Sequence, residues 1–581
     1  MKKASKTLAL IIALCMVLAL SAFASGEASG GMGMPGGGSS GEPDSYDAVM
    51  DITEDTELDG VAMESVNGDE NIIHVYEGAV ASITNSSFAN GGSGSSGDAS
   101  SFYGVGATLF VSDGEMYVDD VDIDSTTAGG AGVFAYADGV AYVQNADIHT
   151  TQGSAGGLHV AGGGTLYAWD CNVETEAGMA AAAIRSDRGG GLMVIDGGSY
   201  VTNGGTGAVY VTADISVHNA YLYTGGSEAV AIEGKNTIRL FDCDLEGDMV
   251  ANSINDNKVW NIIVYQSMSG DADVGTSHFE MVGGTLTTHA GPILYNTNTS
   301  SYITFKDVDI TRGDDTTYFL QVTGNSSSRT WGRAGANGAN CIFTAVEQAM
   351  PGDVVYDTIS NLDFYMLEGS SLEGSITCDD SLNGGNTGDG VANVYIDADS
   401  TWTVTGDSVI TGTLYCAGAV ENAKIVDASG AVLYGDGQYT VTVGALSDKV
   451  DISGAGEVPV WEDYAVENPF ADAAAPASGE ASGEASGAPA AAPAAGGYTA
   501  DEAGWKQYLK DYVSAVPAAQ EHLDEFYAAI DAGAFDTMPG DMLFQDTFWG
   551  YSAVSLADFI AANGAVEIPA FDPNLVEDAQ P

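Results

Sequence analysis

The chain has 581 residues, with 81 Asp or Glu against 16 Lys or Arg and a formal net charge of −65. So negative a surface excludes nucleic acid and anionic membranes as partners, because both are bound by neutralising phosphates with Lys and Arg. Yet 45% of the residues are hydrophobic and only 17% charged, which supplies a core and excludes general disorder.

The N-terminus carries Lys2, Lys3 and Lys6, then an apolar run from Leu8 to Leu20, then Ala22-Phe23-Ala24 with small residues where a signal peptidase needs them. Residues 1–24 read as a secretory signal peptide. Cys15 lies inside the run behind Leu14, which does not suit a lipid-anchor motif. Removal of the peptide leaves 13 basic residues against 81 acids, a net −68. No later apolar run is long enough to span a bilayer, so the mature chain is expected outside the cell, secreted or held at the cell surface. Residues 25–44 are rich in Gly and Ser and read as a flexible lead. The motif Ser25-Gly26-Glu27-Ala28-Ser29-Gly30 recurs as Ser478-Gly479-Glu480-Ala481-Ser482-Gly483, so similar linkers flank one large domain at 45–470.

Internal repetition decides the reading of that domain. MYVDDVDIDST, AYVQNADIHTT and LYAWDCNVETE place Tyr117, Tyr142 and Tyr167 at 25-residue intervals, followed in register by Asp120, Asn145 and Asp170, by Val121, Ala146 and Cys171, and by Ile123, Ile148 and Val173. Looser copies bring Ala220 with Leu222, Cys243 with Leu245, and Val308 with Ile310. Each copy alternates as strands do, with Leu166, Ala168, Cys171 and Val173 on one face and Tyr167 and Trp169 on the other. Short strands in units of this length cannot bury an apolar face alone, so neighbouring units must stack. The pattern predicts a mainly β, right-handed parallel β-helix (solenoid), with the Asp/Asn column at corners that need a left-handed backbone. Five cysteines remain after signal removal. Cys171 and Cys243 fall in the inward column three coils apart, roughly 14 Å at the strand spacing, too far for a disulfide.

The coil pattern, Ile232-Glu233-Gly234-Lys235-Asn236 before a new strand, and a closing segment with Trp402 and Thr405-Gly406-Asp407-Ser408 together resemble the secreted, adhesin-like members of the pectin-lyase-like β-helix superfamily. The resemblance covers about 420 residues and implies architecture, not an agreed reaction. It also brings polysaccharide lyases and glycoside hydrolases into view.

Residues 471–497 form an Ala/Pro/Gly/Ser linker, and 498–575 read as a small α-helical domain. Thr499 with Glu502 makes a capping box before the stripe Trp505, Tyr508, Leu509, Tyr512 and Val513.

A lyase of acidic polysaccharides needs a cation and a base. Only 11 basic residues lie in the large domain, and Arg185, Arg188 and Arg239 are its weak catalytic candidates, with solvated turn cations the plainer reading. Polygalacturonase-like Asn-Thr-Asp and Arg-Ile-Lys groups are missing from the sequence. Asp119, Asp120, Asp122 and Asp124 are weak candidates to hold Ca²⁺, whose ligands are hard oxygens, although such a cluster usually reads as a solvated face. The strongest ligand-binding candidates are Tyr117, Tyr142, Tyr167 and Trp169, an outward aromatic column able to pack on pyranose rings or simply to cover the sheet. The sequence therefore points to a non-enzymatic adhesin that binds glycan or another surface component. A polysaccharide-active enzyme and a passive envelope or matrix component stand as alternatives.

Overall fold

A computed structural model describes residues 42–471 apart from 95–96, 177–179, 252–256, 268 and 326–330. The expected signal peptide, almost all of the two linkers and the helical region 498–575 lie outside the described residues. What is described is mainly β, dominated by one long parallel sheet.

The strands fall into three parallel ladders, because each strand pairs with the strand three further along the chain. The first ladder runs Leu158–Ala161, Ile184–Ser186, Val209–Val211, Val230–Glu233, Ile262–Tyr265, Leu294–Thr297, Leu320–Val322, Val354–Tyr356. The second runs Gly164–Trp169, Gly191–Asp196, Asp214–His218, Thr237–Phe241, Thr276–Val282, Ser300–Lys306, Asn340–Val346, Asn361–Leu367. The third runs Asn172–Thr175, Ser199–Thr202, Tyr221–Thr224, Asp244–Gly247, Thr285–Gly291, Asp309–Thr316. It resumes as a separate sheet through Ala349–Pro351, Ser371–Gly374, Thr401–Val404 and Ala419–Glu421. Two early strands, Leu109–Ser125 and Val133–Thr150, turn the corners without a break and contribute to all three ladders. Successive turns of chain therefore stack on one another, an arrangement compatible with a β-solenoid.

The repeat and the register coincide. Tyr117 pairs with Tyr142 and Tyr142 with Tyr167, while Ile123, Ile148 and Val173 form a second aligned column. The corner between the second and third ladders explains the Asp/Asn column: Asp120, Asn145, Asp170, Asn219, Asp242 and Asp307 all take the left-handed conformation, with φ between 48° and 56°. Asn and Asp tolerate that conformation better than other side chains that have a Cβ. Where the column lacks an acid or amide, Gly197 takes its place at φ 80°.

Immediately after the corner, Val121, Ala146, Cys171, Ala220, Cys243 and Val308 point inward, none more than 4% exposed. Further along the stack the core is filled by Phe279, Phe305, Phe343 and Phe364, the last two stacked at 4.8 Å. All five described cysteines are free thiols, and burial pushes those of Cys171, Cys243 and Cys341 up to about 12. Trp402 is fully buried, its indole N–H donates to Gly374 O at 2.9 Å, and its strand pairs onward with Ala419–Glu421.

Candidate functional site

Each ladder presents one outer face, and the three faces are treated differently. Along the first ladder, outward residues such as Phe110, Phe134, His159, Arg185, Ile263 and Val355 are at most 3% exposed, so this sheet is buried on both sides. A short helix, Asp98–Tyr103, covers one part of it, and Met249, Trp260 and Trp331 pack over another.

The second ladder carries the aromatic column. Tyr117 and Tyr142 are stacked at 4.6 Å and 7°, and Tyr142 meets Tyr167 at 5.3 Å and 30°. Rings stacked face to face on neighbouring coils use up the faces that a pyranose would need and present their edges outward. A second column, Tyr365, Tyr395 and Tyr415, repeats the arrangement at the far end with spacings of 4.2 and 4.7 Å.

This face is also covered by the chain itself. After the last coil, residues 454–470 run back across it as a strap. Ala455 and Val458 pack on Val346, Tyr365 and Leu367. Trp461 lies on His218 and against Phe241, and Tyr464 packs on Phe241 under the Arg239 guanidinium. Asn468 donates to Gln144 Oε1 at 2.6 Å, and Phe470 meets both Tyr117 and Trp169 edge-on at 6.3 Å. Nine coil steps separate Tyr365 from Tyr117, about 43 Å at the strand spacing. The sixteen residue steps from Gly454 to Phe470 reach about 53 Å when extended. The strap is thus nearly straight, with slack for the single turn Trp461–Asp463. Trp169 faces outward as its alternation requires, yet it is only 6% exposed because Phe470 and Tyr167 close over it.

The three arginines do not meet. Arg185 is not a solvated turn cation, which corrects the sequence reading: its side chain is 4% exposed, its Nε pairs with Asp187 at 2.7 Å, and its NH2 donates to Ser101 Oγ at 2.9 Å. Asp187 also binds His159 Nε2 at 2.9 Å. Burial first, and then the neighbouring Arg185 charge, push the His159 pKa down to about 4. Arg188 is half exposed, paired with Asp271 at 2.7 Å and laid over Phe102 at 4.1 Å. Arg239 stands on the second ladder, held by Asp214 and by Glu280 at 3.2 Å. Every one of these cations is engaged by a carboxylate.

The four aspartates divide between faces. Asp119 lies on the second ladder and accepts from Gln144 and Asn145, each at 3.1 Å, while Asp120 occupies the left-handed corner. Asp122 and Asp124 belong to the third ladder. Among the described residues no three His, Cys, Asp or Glu side chains gather as a metal cage.

Among the described residues, the third ladder is the one left uncovered. Its strands Asn172–Thr175, Tyr221–Thr224 and Asp244–Gly247 alternate exposed or half-exposed residues with buried ones. A broad open groove of about 1050 Å³ lies along its first coils, with Glu64, Asp122, Asp124, Asp147, Asn172 and Glu174 on its floor. Among the described residues lining it, His149 is the one basic side chain, held between Asp124 at 3.3 Å and Glu176 at 3.2 Å. Burial alone would lower its pKa, but the hydrogen bonds and charges of Glu176 and Asp124 raise it above the ordinary value. Asn172 donates to Asp147 at 2.8 Å, so the surface is rich in acceptors and partly preorganised.

Sequence reasoning passed over both the strap and this groove. Trp461, Tyr464 and Phe470 in an otherwise acidic stretch before the linker were the available signal for the first. The recurrence of Asp122, Asp147 and Asn172 two residues after the corner column was the signal for the second. No family model matches the chain, and neither a curated protein nor a solved structure shows detectable similarity to it.

Proposed function

We propose that this is an exported, non-enzymatic right-handed parallel β-helix of adhesin type, and that it binds a neutral or amine-bearing glycan, or a surface of like chemistry, on the outer face of its third ladder. One observation carries the reading: among the described residues, one of three outer faces is buried under a helix and loops, one lies under the strap, and the third is open and grooved. Carboxylates and amides repeating from coil to coil accept hydrogen bonds from hydroxyl and ammonium groups, whereas the same charge repels polyanions. The aromatic column then serves mainly as the seat of the strap.

The test is a glycan panel probed with the mature chain, with and without Ca²⁺, beside Asp147→Asn with Glu174→Gln, and Tyr142→Ala. Binding that falls at least tenfold in the groove double variant and persists in Tyr142→Ala supports the reading. Loss in Tyr142→Ala alone would return the site to the aromatic column. Release of new reducing ends would favour the polysaccharide-active alternative, and binding to no member of the panel would favour a passive envelope component.

A further inference from the structure

Where the first ladder passes Leu294–Thr297, Leu320–Val322 and Val354–Tyr356, its outer corner holds Asn325, Asn337, Asp357 and Asn383, none more than 3% exposed. The nitrogens of these side chains are all engaged. Asn325 Nδ2 donates to Thr297 Oγ1 at 3.1 Å and Trp331 O at 2.9 Å, and Asn337 Nδ2 donates to Asn325 O at 2.8 Å and Trp331 O at 2.9 Å. Asn383 Nδ2 and Gly324 N both donate to Asp357 Oδ2, at 2.8 and 2.7 Å. Because Asn325 and Asn337 each direct the NH₂ group at a backbone carbonyl, neither amide can be turned round without setting oxygen against oxygen.

The oxygens are the opposite case. Asn325 Oδ1, Asn337 Oδ1 and Asp357 Oδ1 are buried without a hydrogen-bond partner among the described residues. The three residues gather round Gly324, which Asn325 follows in the chain and which is packed so closely that only glycine fits. A Cβ there would stand 2.8 Å from Asn337 Oδ1 and 2.6 Å from Ile359 Cδ1, while the Gly324 N–H holds the other oxygen of Asp357. A buried carboxylate with one bare oxygen, beside bare amide oxygens, is costly unless something electropositive sits among them. The chemistry is that of a hard cation: one carboxylate and neutral carbonyl-type oxygens, with no nitrogen or sulfur donor.

We propose that Asp357, Asn337 and Asn325 line a buried cation site beside Gly324 that takes Ca²⁺. It lies apart from the surface aspartates at 119–124 and ties consecutive coils of the first ladder together through one ion.

The test must separate this site from the many surface acids, which bind divalent cations weakly and diffusely. The full mature chain, stripped with EDTA, is titrated with Tb³⁺, whose emission Trp331 is placed to sensitise, and is then competed with Ca²⁺. The expected result is sensitised emission displaced by Ca²⁺, with affinity reduced at least tenfold in Asp357→Asn and unchanged in Asp122→Asn. Emission that is absent, or equal in Asp357→Asn and wild type, overturns the site. Should Asp357→Asn fail to fold, a Tb³⁺-soaked crystal of the wild-type chain decides: an anomalous peak beside Asp357 Oδ1 supports it, and water alone there overturns it.

Discussion

The Trp461 indole lies flat on the His218 imidazole, 4.6 Å between ring centres and 12° between planes, although the two residues stand far apart in the chain. His218 is itself fixed by Asp196, whose Oδ1 is 2.6 Å from Nδ1. The middle of the strap therefore rests on a ring that cannot swing away. Replacing Trp461 by Ala removes this contact and that with Phe241. A destabilisation of about 1–3 kcal/mol is expected for a half-buried aromatic anchor of this kind. Limited proteolysis should show cleavage within 454–470 several-fold faster, while the coils stay resistant. Equal protection of the strap in both proteins would contradict its anchoring by Trp461.

The left-handed corner makes a second prediction. Asn145 sits at φ 49° between the second and third ladders. A β-branched residue is disfavoured there, so Asn145→Val should cost about 1–2 kcal/mol, while Asn145→Gly should be close to neutral. Both variants lose the same hydrogen bond to Asp119, so denaturant midpoints that fail to separate them would show that backbone conformation is not what selects Asn.

Acid stability depends on two buried histidines. His159 and His74 both have pKa values lowered to about 4, chiefly by burial. His159 faces Arg185 and Asp187; His74 faces Asp51 at 3.7 Å and Ser112 at 2.8 Å. The folded chain keeps both neutral where the unfolded chain, with an ordinary His pKa near 6.5, takes up protons. Their contribution is complete above pH 6.5 and is lost as pH falls from there toward 4, by up to roughly 3 kcal/mol for each. The difference in stability between wild type and His159→Asn should therefore shrink as pH falls through that window. A difference that stays constant from pH 7 to pH 4 would rule out the proton linkage.

Thiol labelling tests the inward column. Cys171, Cys243 and Cys341 are buried, whereas Cys378 and Cys416 are half-buried. Under native conditions an alkylating reagent should reach only the latter two, slowly, because burial also raises the Cys378 thiol to about 11. All five should react after unfolding. Fast native labelling of Cys171 would place it outside the core.

The stacked β architecture was legible because its cause is local and repeated. A left-handed corner selects Asp or Asn, and the next position must be small and apolar, so Asp120-Val121, Asn145-Ala146 and Asp170-Cys171 announce the coil directly. Arg185 was not legible. Its neighbours Ser186, Asp187 and Arg188 look like an exposed turn, and its partner Ser101 comes from 84 residues upstream. The strap was hidden for the same reason: its contacts repeat nowhere and reach across most of the domain, and they decide how much of the column Tyr117, Tyr142, Tyr167 and Trp169 meets solvent.

The course of the strap also sets how the domain responds to force. It carries the chain from the last coils back to Tyr117 and Trp169, while Tyr46, at the other end of the described chain, packs on Phe110 and His74 in the first coils. Both ends of the described chain therefore lie at the same end of the stack. Tension applied between the two ends of the described chain would bypass most of the coils. It would peel Phe470, Tyr464 and Trp461 away in turn, a sequence of small yielding steps that shields the hydrogen-bonded ladders from the load.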